Sequence, residues 1–259
     1  MTILYELIQT GIIQGLILSI IALGVMIPYR ILDFRDFTGE GSYPLGGAIC
    51  SSLIIGGISS YTAIIIATVF AGMMGICTAL LHIRLKINTM LAGIIISTML
   101  YSINLRCMGK PNIALFERAN IFTAFENQAI YKIGILLLIN IIMILPLIWF
   151  LNTEKGLKFR AVGKNRNFAS HNGINTNSYI ISGLFLGNAL CGLAGSIIVQ
   201  LQNYADINMG IGIVMHALAS IMIGEVLIEN KTVTKQIIAT FIGAIVYQQI
   251  QGCAIAIGL

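Results

Sequence analysis

Charged side chains are scarce in this sequence, at 10% of 259 residues, whereas hydrophobic residues make up 57%. A soluble domain carries about 25% charged residues, so this chain cannot build an ordinary water-facing surface. Lipid must therefore be the solvent for most of it. The net charge of +5 is explained by basic residues held in cytoplasmic loops, and the sequence shows no stripe of basic and aromatic residues of the kind that binds nucleic acid.

Residues that carry out catalysis or bind metals are also few and scattered. The three histidines, His82, His171 and His216, stand far apart, and the five cysteines include no CxxC pair. The sequence therefore offers neither a metal-ligand set nor a catalytic cluster. We expect a protein that is not an enzyme, in which the cysteines act as small buried hydrophobic residues.

Long apolar runs dominate the chain instead. In a hydrocarbon core the backbone must satisfy its own hydrogen bonds, which leaves helices or a closed barrel, and barrel strands alternate apolar and polar residues. Uninterrupted runs favour helices. We predict an all-α polytopic transmembrane bundle, a single domain over residues 1–259, with about eight hydrophobic segments. They are residues 7–28, 43–58, 62–81, 89–105, 133–151, 179–200, 211–228 and 236–257.

Small residues recur four positions apart in three of these segments. In lipid, helices associate through close backbone approach, which such pairs permit. The pairs predict a tightly packed bundle; they are Gly11 and Gly15, Ala71 and Gly75, and Gly183 and Gly187.

Lysine and arginine indicate which loops stay in the cytoplasm. Loop 152–178 carries five of them against one acid, and the 82–88 and 229–235 loops carry two each. Strict alternation places these three loops on one side. The N-terminus has no basic region and no cleavage site, so the first segment is predicted to be a retained helix. If 43–58 is a full span, as the charge count favours, the N-terminus lies outside; if 43–58 is re-entrant, it lies inside.

Two stretches repeat one pattern ahead of a short, glycine-interrupted segment: Asp36 stands before two glycines in the first, and Asp206 in the second. Broken helices at corresponding positions of two halves are typical of a transport path, because helix N-termini and freed backbone groups can face a polar cavity. A pair of interfacial loops with helix-capping residues would show the same pattern. The glycines are Gly39, Gly41, Gly210 and Gly212.

Few polar residues stand inside the apolar segments. Asn104, Asn140, Asn188 and Gln248 are uncharged, and such side chains bond a neighbouring helix more often than a substrate. Glu225 is predicted to mark a helix end, because burial of its charge would be costly. The alternative function, a stand-alone secondary transporter or channel, needs ionisable residues within the spans for ion coupling, and the span centres hold essentially none.

Loop 152–178 is the most informative stretch between segments. Asn165 can cap a helix N-terminus, and Gly173 stands where a glycine commonly ends one, which predicts a short helix. Its basic outer face suits docking into a groove of a partner. A solvated connector that only anchors topology would have the same composition.

Longer motifs in this loop resemble a known family. Part of the loop is similar to the coupling loop of ABC importer permeases of the branched-chain amino acid and ribose permease superfamily. The similar positions are residues 156–163, Ala169 and residues 173–176. The resemblance covers nearly the whole chain, although members of that family continue past Ile257 into a further loop and helix. Further stretches resemble one poorly characterised branch of that superfamily, which is linked in some members to aromatic amino acid uptake. These stretches are residues 30–46, 91–94, 101–106 and 205–212.

The resemblance implies a permease subunit of the bacterial inner membrane that forms the path for a small solute, with an amino acid as the expected substrate. It implies no cofactor here, since ATP would be bound by separate ATPase subunits. The other implied partners are an extracytoplasmic substrate-binding protein and a second permease copy. The implied coupling residues are Gly156, Arg160, Ala161, Gly163, Asn165, Arg166, Ala169, Gly173 and Ile174. The expected path residues are Asp36, Gly39, Glu40, Gly41, Asn104, Asp206, Asn208, Gly210 and Gly212.

Overall fold

The computed structural model describes residues 2–116, 120–123, 129–229 and 232–257, and these form a bundle of helices, as the sequence predicts. One short antiparallel ladder pairs two strands, β1 (Asn112–Ala114) and β2 (Tyr204–Asp206). The helices are α1 (Thr2–Met26), continued by a π-helical turn (Ile27–Ile31), α2 (Gly39–Ile55), α3 (Ser60–Leu85), α4 (Thr89–Met108), α5 (Ala129–Asn152), α6 (Glu154–Lys164), α7 (Arg166–His171), α8 (Thr176–Gln202), α9 (Ile213–Leu227) and α10 (Val233–Ile257).

Six of the described helices are long and apolar enough to cross a membrane: α1, α3, α4, α5, α8 and α10. The other two predicted segments correspond to α2, of 17 residues, and α9, of 15 residues. The expected eight segments therefore divide into six long helices and two short ones. α2 also starts at Gly39, earlier than predicted, because the polar residues ahead of the apolar run already form its first turn.

The loops rich in lysine and arginine gather at one end of the bundle, which we call the basic end. The Arg166 guanidinium lies 3.4 Å from His82 Nε2, and Asn152 Nδ2 donates to Thr234 Oγ1 at 3.3 Å. These contacts confirm that the 82–88 loop and the start of α10 share an end with loop 152–178. Lys231, which contributed to that prediction, lies outside the described residues.

The chain that leaves α1 at the basic end reaches the opposite end through α2, which begins inside the bundle. Near its start, the Thr38 and Thr78 hydroxyls are 2.6 Å apart, and Thr78 lies about two turns before the C-terminus of α3. Near its finish, Ser52 Oγ donates to the carbonyl oxygen of Cys107 at 2.7 Å, at the C-terminus of α4. The segment is therefore not re-entrant. The α1 N-terminus packs on the far end of α10, where Gln249 Nε2 donates to the Ile8 carbonyl oxygen, and it lies opposite the basic end.

α1 and α8 form the buried centre of the bundle, and α5 lies at its periphery. α8 packs against α2 and α3, while α1 packs against α10. The small residues lie at these contacts: a Cβ on Gly75 would overlap the Leu184 carbonyl oxygen, and one on Gly187 would crowd the Gly24 carbonyl oxygen. Gly15 faces the backbone of α10. The predicted close approach is confirmed at each of these positions.

The cysteines only partly follow the prediction of burial. Cys50 and Cys191 are buried against α8 and α2, but Cys77, Cys107 and Cys253 are exposed. The prediction is wrong for these three because their segments turn an apolar outer face to the surroundings. On such a face a small apolar side chain is suited to lipid contact as well as to burial.

Asn140 attaches the peripheral helix α5 to α1. Its Nδ2 donates to the Leu16 carbonyl oxygen at 3.0 Å, and its Oδ1 accepts a hydrogen bond from Ser19 Oγ at 2.5 Å. The predicted interhelical role is confirmed for this residue. Gln248, by contrast, is half-buried on α10.

We expect Asn140→Ala to lower the melting temperature of the purified protein, because it removes both interhelical hydrogen bonds, at about 0.6 kcal/mol each. Leu138→Ala is the control, since Leu138 lies on the exposed side of the same helix. Thermal unfolding in detergent measures both variants. Equal melting temperatures would show that α5 does not depend on this attachment.

Candidate functional site

A polar groove of about 360 Å³ lies where α2, α4 and the residues ahead of α9 meet. Its wall combines a carboxylate, two hydroxyls, a phenol and an amide with apolar surface. Such a mixture within a bundle that otherwise presents apolar faces is typical of a ligand site. The lining residues are Glu40, Gly41, Pro44, Ser97, Thr98, Tyr101, Asn104, Ile207, Gly210 and Ile211.

The N-terminal ends of the two short helices meet beside this groove. Gly210 lies against the Glu40 carbonyl oxygen and the Pro44 ring, so closely that a Cβ at this position would overlap both. The Glu40 carboxylate accepts a hydrogen bond from the backbone of Gly212, the residue that precedes α9 and has a φ of +75°. The two glycine-rich entrances identified in the sequence are therefore in direct contact.

α2 and α9 begin at this contact and run to opposite ends of the bundle. α2 finishes opposite the basic end, where Ser52 bonds Cys107, whereas α9 finishes at the basic end, since Glu225 near its C-terminus forms an ion pair with Arg30 at 2.7 Å. That contact confirms Glu225 as a residue of a helix end. Two short helices of opposite direction are the arrangement of inverted repeats, in which a substrate site lies between the halves.

Asn104 presents an unsatisfied acceptor at the groove. Its Nδ2 donates to the Gly41 carbonyl oxygen at 3.4 Å, while its buried Oδ1 makes no hydrogen bond with any described residue. Buried polar atoms nearly always have a partner, so this oxygen can accept a hydrogen bond from a bound molecule. Asn104 is a residue of the predicted path, and the structure brings it to Glu40, Gly41 and Gly210.

Asp36 lies in a buried network rather than at the groove. Its Oδ1 accepts a hydrogen bond from the Thr38 backbone at 2.8 Å, and its Oδ2 accepts one from Asn188 Nδ2 at 2.8 Å. Asn188 Oδ1 in turn accepts from Ser42 Oγ. The network joins the loop before α2 to α8. Gly39 likewise packs on α8 and α9 instead of lining the groove.

Asp206 forms the same local turn at the opposite end. Its Oδ1 accepts a hydrogen bond from the Asn208 backbone at 2.7 Å, and its Oδ2 accepts one from Asn112 Nδ2 across the β1–β2 ladder. Asn208 is exposed. Five of the predicted path residues therefore lie around the groove and not on its wall: Asp36, Gly39, Asp206, Asn208 and Gly212.

Three groove residues on α4 were missed by the sequence analysis: Ser97, Thr98 and Tyr101. Ser97, Tyr101 and Asn104 follow the spacing of one helix face, so a polar stripe across an apolar segment could have revealed them. Such a stripe is easily overlooked, because serine and threonine inside a span commonly donate a hydrogen bond to a carbonyl oxygen of their own helix. Ser97 Oγ does so to the Ile94 carbonyl oxygen.

Loop 152–178 folds into two helices, α6 and α7. Asn165 Oδ1 accepts a hydrogen bond from the Phe168 backbone at 2.9 Å, and Gly173 has a φ of +75° with its N–H donating to Ser170. The predicted capped helix is thus confirmed as α7. α6 is capped by Thr153, which the sequence analysis did not identify.

These two helices are seated against the basic end of the bundle. Gly163 packs on the Ile31 carbonyl oxygen and Gly156 on the backbone of Leu151, where a Cβ would overlap in both cases. Ala169 is buried below α7. Ala161 and Ile174 are half-buried beside this contact between the loop and the bundle. The small residues of the predicted coupling set therefore hold the loop to the bundle.

Two arginines of that set do not form the expected basic outer face. Arg166 turns inward to His82 and to the Asp33 carbonyl oxygen, and Arg160 is half-buried. The Arg166 guanidinium is drawn to these polar groups, whereas the buried Arg160 Nε makes no hydrogen bond with any described residue. The outer surface instead presents Phe168, which is 64% exposed. On α6, Lys158 forms an ion pair with Glu154 whose hydrogen bond lowers the pKa of that carboxyl.

Comparison with known proteins places this architecture in a family. The chain matches the family described as the permease component of branched-chain amino acid transport systems over residues 7–258. It is 39% identical over 246 residues to the tyrosine transport system permease protein of Clostridioides difficile (strain R20291), covering 95% of this chain and 82% of the relative. It is 32% identical over 246 residues to an uncharacterised protein of Rickettsia prowazekii (strain Madrid E), covering 93% and 86%.

No solved structure matches the chain. The sequence matches nonetheless extend across nearly all of it, and they agree with a multi-pass membrane protein. They identify a transport permease and not an enzyme. The chain belongs to the family of permease components of branched-chain amino acid transport systems.

Proposed function

We propose that this chain is the membrane-spanning subunit of an ABC importer and forms the path for an amino acid, with ATP hydrolysed by a separate subunit. The observation that carries the proposal is the polar groove where the two short helices meet. Ten residues that include a carboxylate and an unsatisfied amide oxygen surround it within an otherwise apolar bundle. A stable lipid-facing protein has no structural need for such a groove.

The groove suits a small zwitterion in both size and chemistry. A volume of about 360 Å³ falls in the range of small-molecule sites. The Glu40 carboxylate and Asn104 Oδ1 can accept hydrogen bonds from an ammonium group, and the Tyr101 ring offers an aromatic surface. A relative is named a tyrosine transport permease, and an aromatic amino acid is therefore the substrate that we propose.

The α6–α7 loop is proposed to receive the ATPase subunit. Phe168 is an exposed aromatic residue on a helix that is capped at both ends and fixed from below by Ala169. Exposed aromatic residues on rigid elements are typical anchors of protein interfaces. In this arrangement the basic end faces the cytoplasm of a bacterial cell, in agreement with the charge rule. A second permease copy and an extracytoplasmic binding protein complete the proposed importer.

Affinity purification from the native membrane tests the proposal. We expect an ATPase subunit to co-purify, and we expect tyrosine uptake to stop when ATP is depleted and to continue when ion gradients are collapsed. A permease that purifies alone and takes up solute only with an ion gradient would instead be a secondary transporter.

We expect Gly173→Pro to abolish co-purification of the ATPase. Proline cannot adopt the φ of +75° and removes the N–H that donates to Ser170, so α7 loses its C-terminal cap. Gly109→Pro is the matched control: Gly109 has a φ of +69° and donates to Leu105, but at the C-terminus of α4, away from the basic end. Equal retention of the ATPase by both variants would contradict a docking role for α7.

A further inference from the structure

A second cavity, of about 430 Å³, opens at the basic end, where the π-helical turn after α1, the C-terminus of α5, α6 and the N-terminus of α10 meet. It is separate from the groove described above and shares no lining residue with it. Three of its lining side chains are basic. The lining residues are Arg30, Ile31, Asn152, Arg160, Lys164, Thr232, Val233 and Gln236.

The charge of this cavity is largely uncompensated. No acidic side chain lines it among the described residues, and of the three cations only Arg30 is paired, with Glu225. The Arg160 Nε is buried and makes no hydrogen bond with any described residue. A buried, charged N–H without an acceptor is energetically costly, and a bound anion would supply the missing hydrogen-bond acceptor.

The N-terminus of α10 adds to the positive potential of the cavity. Thr232 caps the N-terminus of this 25-residue helix by accepting a hydrogen bond from the Lys235 N–H, Val233 and Gln236 lie in its first turn, and all three line the cavity. The first turn of a long helix carries partial positive charge and backbone N–H groups that bind phosphate. Two arginines, a lysine and a helix N-terminus therefore converge on one space.

The cavity lies between helices that face lipid. Trp149, which is 73% exposed, stands on α5 one turn before Asn152, and Ile238 is exposed on α10 just after Gln236. Tryptophan is enriched at the level of the lipid headgroups. An anion bound here would thus lie at the depth of the phosphates of the adjacent leaflet, and an acyl chain could pass along the exposed sides of α5 and α10.

We propose that this cavity binds the phosphate of an anionic phospholipid, with Arg160 and Lys164 as its main charged contacts. Basic pockets between helices on the cytoplasmic side recognise such headgroups through the same combination of charge and hydrogen bonds. Arg160, which the family resemblance assigns to ATPase coupling, then acts on the lipid side of α6. The bound lipid would attach α6 to the ends of α1, α5 and α10.

Native mass spectrometry of the purified permease tests this site, with phosphatidylglycerol as the probe and phosphatidylcholine as the neutral comparison. We expect Arg160→Gln combined with Lys164→Gln to weaken phosphatidylglycerol binding roughly tenfold or more, since each basic residue contributes substantially near an anionic lipid. The matched control is Lys155→Gln with Lys158→Gln, which removes the same charge from the same helix at positions outside the cavity.

Four outcomes would overturn the proposal. Retained binding in the cavity variant would do so, as would an equal loss in the control. Loss in the charge-conserving pair Arg160→Lys with Lys164→Arg would contradict a site based on charge. Displacement of the lipid by millimolar inorganic phosphate, with no preference over phosphatidylcholine, would assign the cavity to a soluble anion. Support requires a loss confined to the charge-removing cavity variant and insensitivity to free phosphate.

Discussion

Replacement of Asp36 by alanine is expected to destabilise the protein strongly. The substitution leaves the Thr38 N–H and one N–H of Asn188 without an acceptor in the buried space between α2 and α8. Each buried donor that loses its partner costs about 1–3 kcal/mol. We therefore expect a large drop in melting temperature in detergent, measured by fluorescence-detected size-exclusion chromatography.

Asp206→Ala is the matched control for this variant. Asp206 accepts the same hydrogen bond from the backbone two residues ahead, but it is only half-buried, and its second partner, Asn112 Nδ2, is exposed and 3.4 Å away. Its loss is expected to lower the melting temperature only slightly, because water can reach the freed groups. If both variants unfolded at the same temperature, the turn itself, and not the network to α8, would be the stabilising feature.

Replacement of Thr98 by tryptophan is expected to reduce amino acid uptake to the level of cells without the permease. Thr98 lines the groove opposite α2, and an indole there would occupy much of its volume of about 360 Å³. The position is exposed, so the larger ring does not have to enter the packed interior. Uptake of labelled tyrosine in cells that express the complete importer is the measurement.

The neighbouring substitution Met99→Trp serves as the control, because Met99 is 57% exposed and does not line the groove. Both variants should be present in the membrane at the wild-type amount. Unimpaired uptake by Thr98→Trp would mean that the solute does not pass along this groove. Equal impairment of the two variants would indicate a general intolerance of α4 to large side chains.

The all-α fold and the ends of the helices follow from local signals in the sequence. Asn165 and Gly173 predict α7 correctly because a cap depends on only a few neighbouring residues. Local chemistry is sufficient in this case. The repeated pattern of acid and glycines predicts two entrances near a central path, but their direct contact is a tertiary feature that only the structure shows.

The roles of Asp36 and Asp206 could not be separated from the sequence. Both make the same turn and accept a hydrogen bond from an asparagine distant in the chain, and they differ because the bond from Asn188 is buried on α8 whereas the bond from Asn112 is exposed. The direction of Arg166 depends in the same way on groups that are distant in the chain, namely His82 and the Asp33 carbonyl oxygen. Side-chain direction within a basic loop is a tertiary property, and composition reports only that the charge is present.

The burial of α2 has a consequence for the order of events during biosynthesis. α2 contains Glu40 and Pro44 and is not among the helices that are both long and apolar enough to cross a membrane. Much of its cover comes from α8, which leaves the ribosome only after α3 to α7 have been made. A nascent chain that has not yet reached α8 therefore exposes the glycine-rich face of α2. Until then only α3 and α4, which also pack on α2, are available within the chain to cover it, and α8 completes the cover when it is inserted.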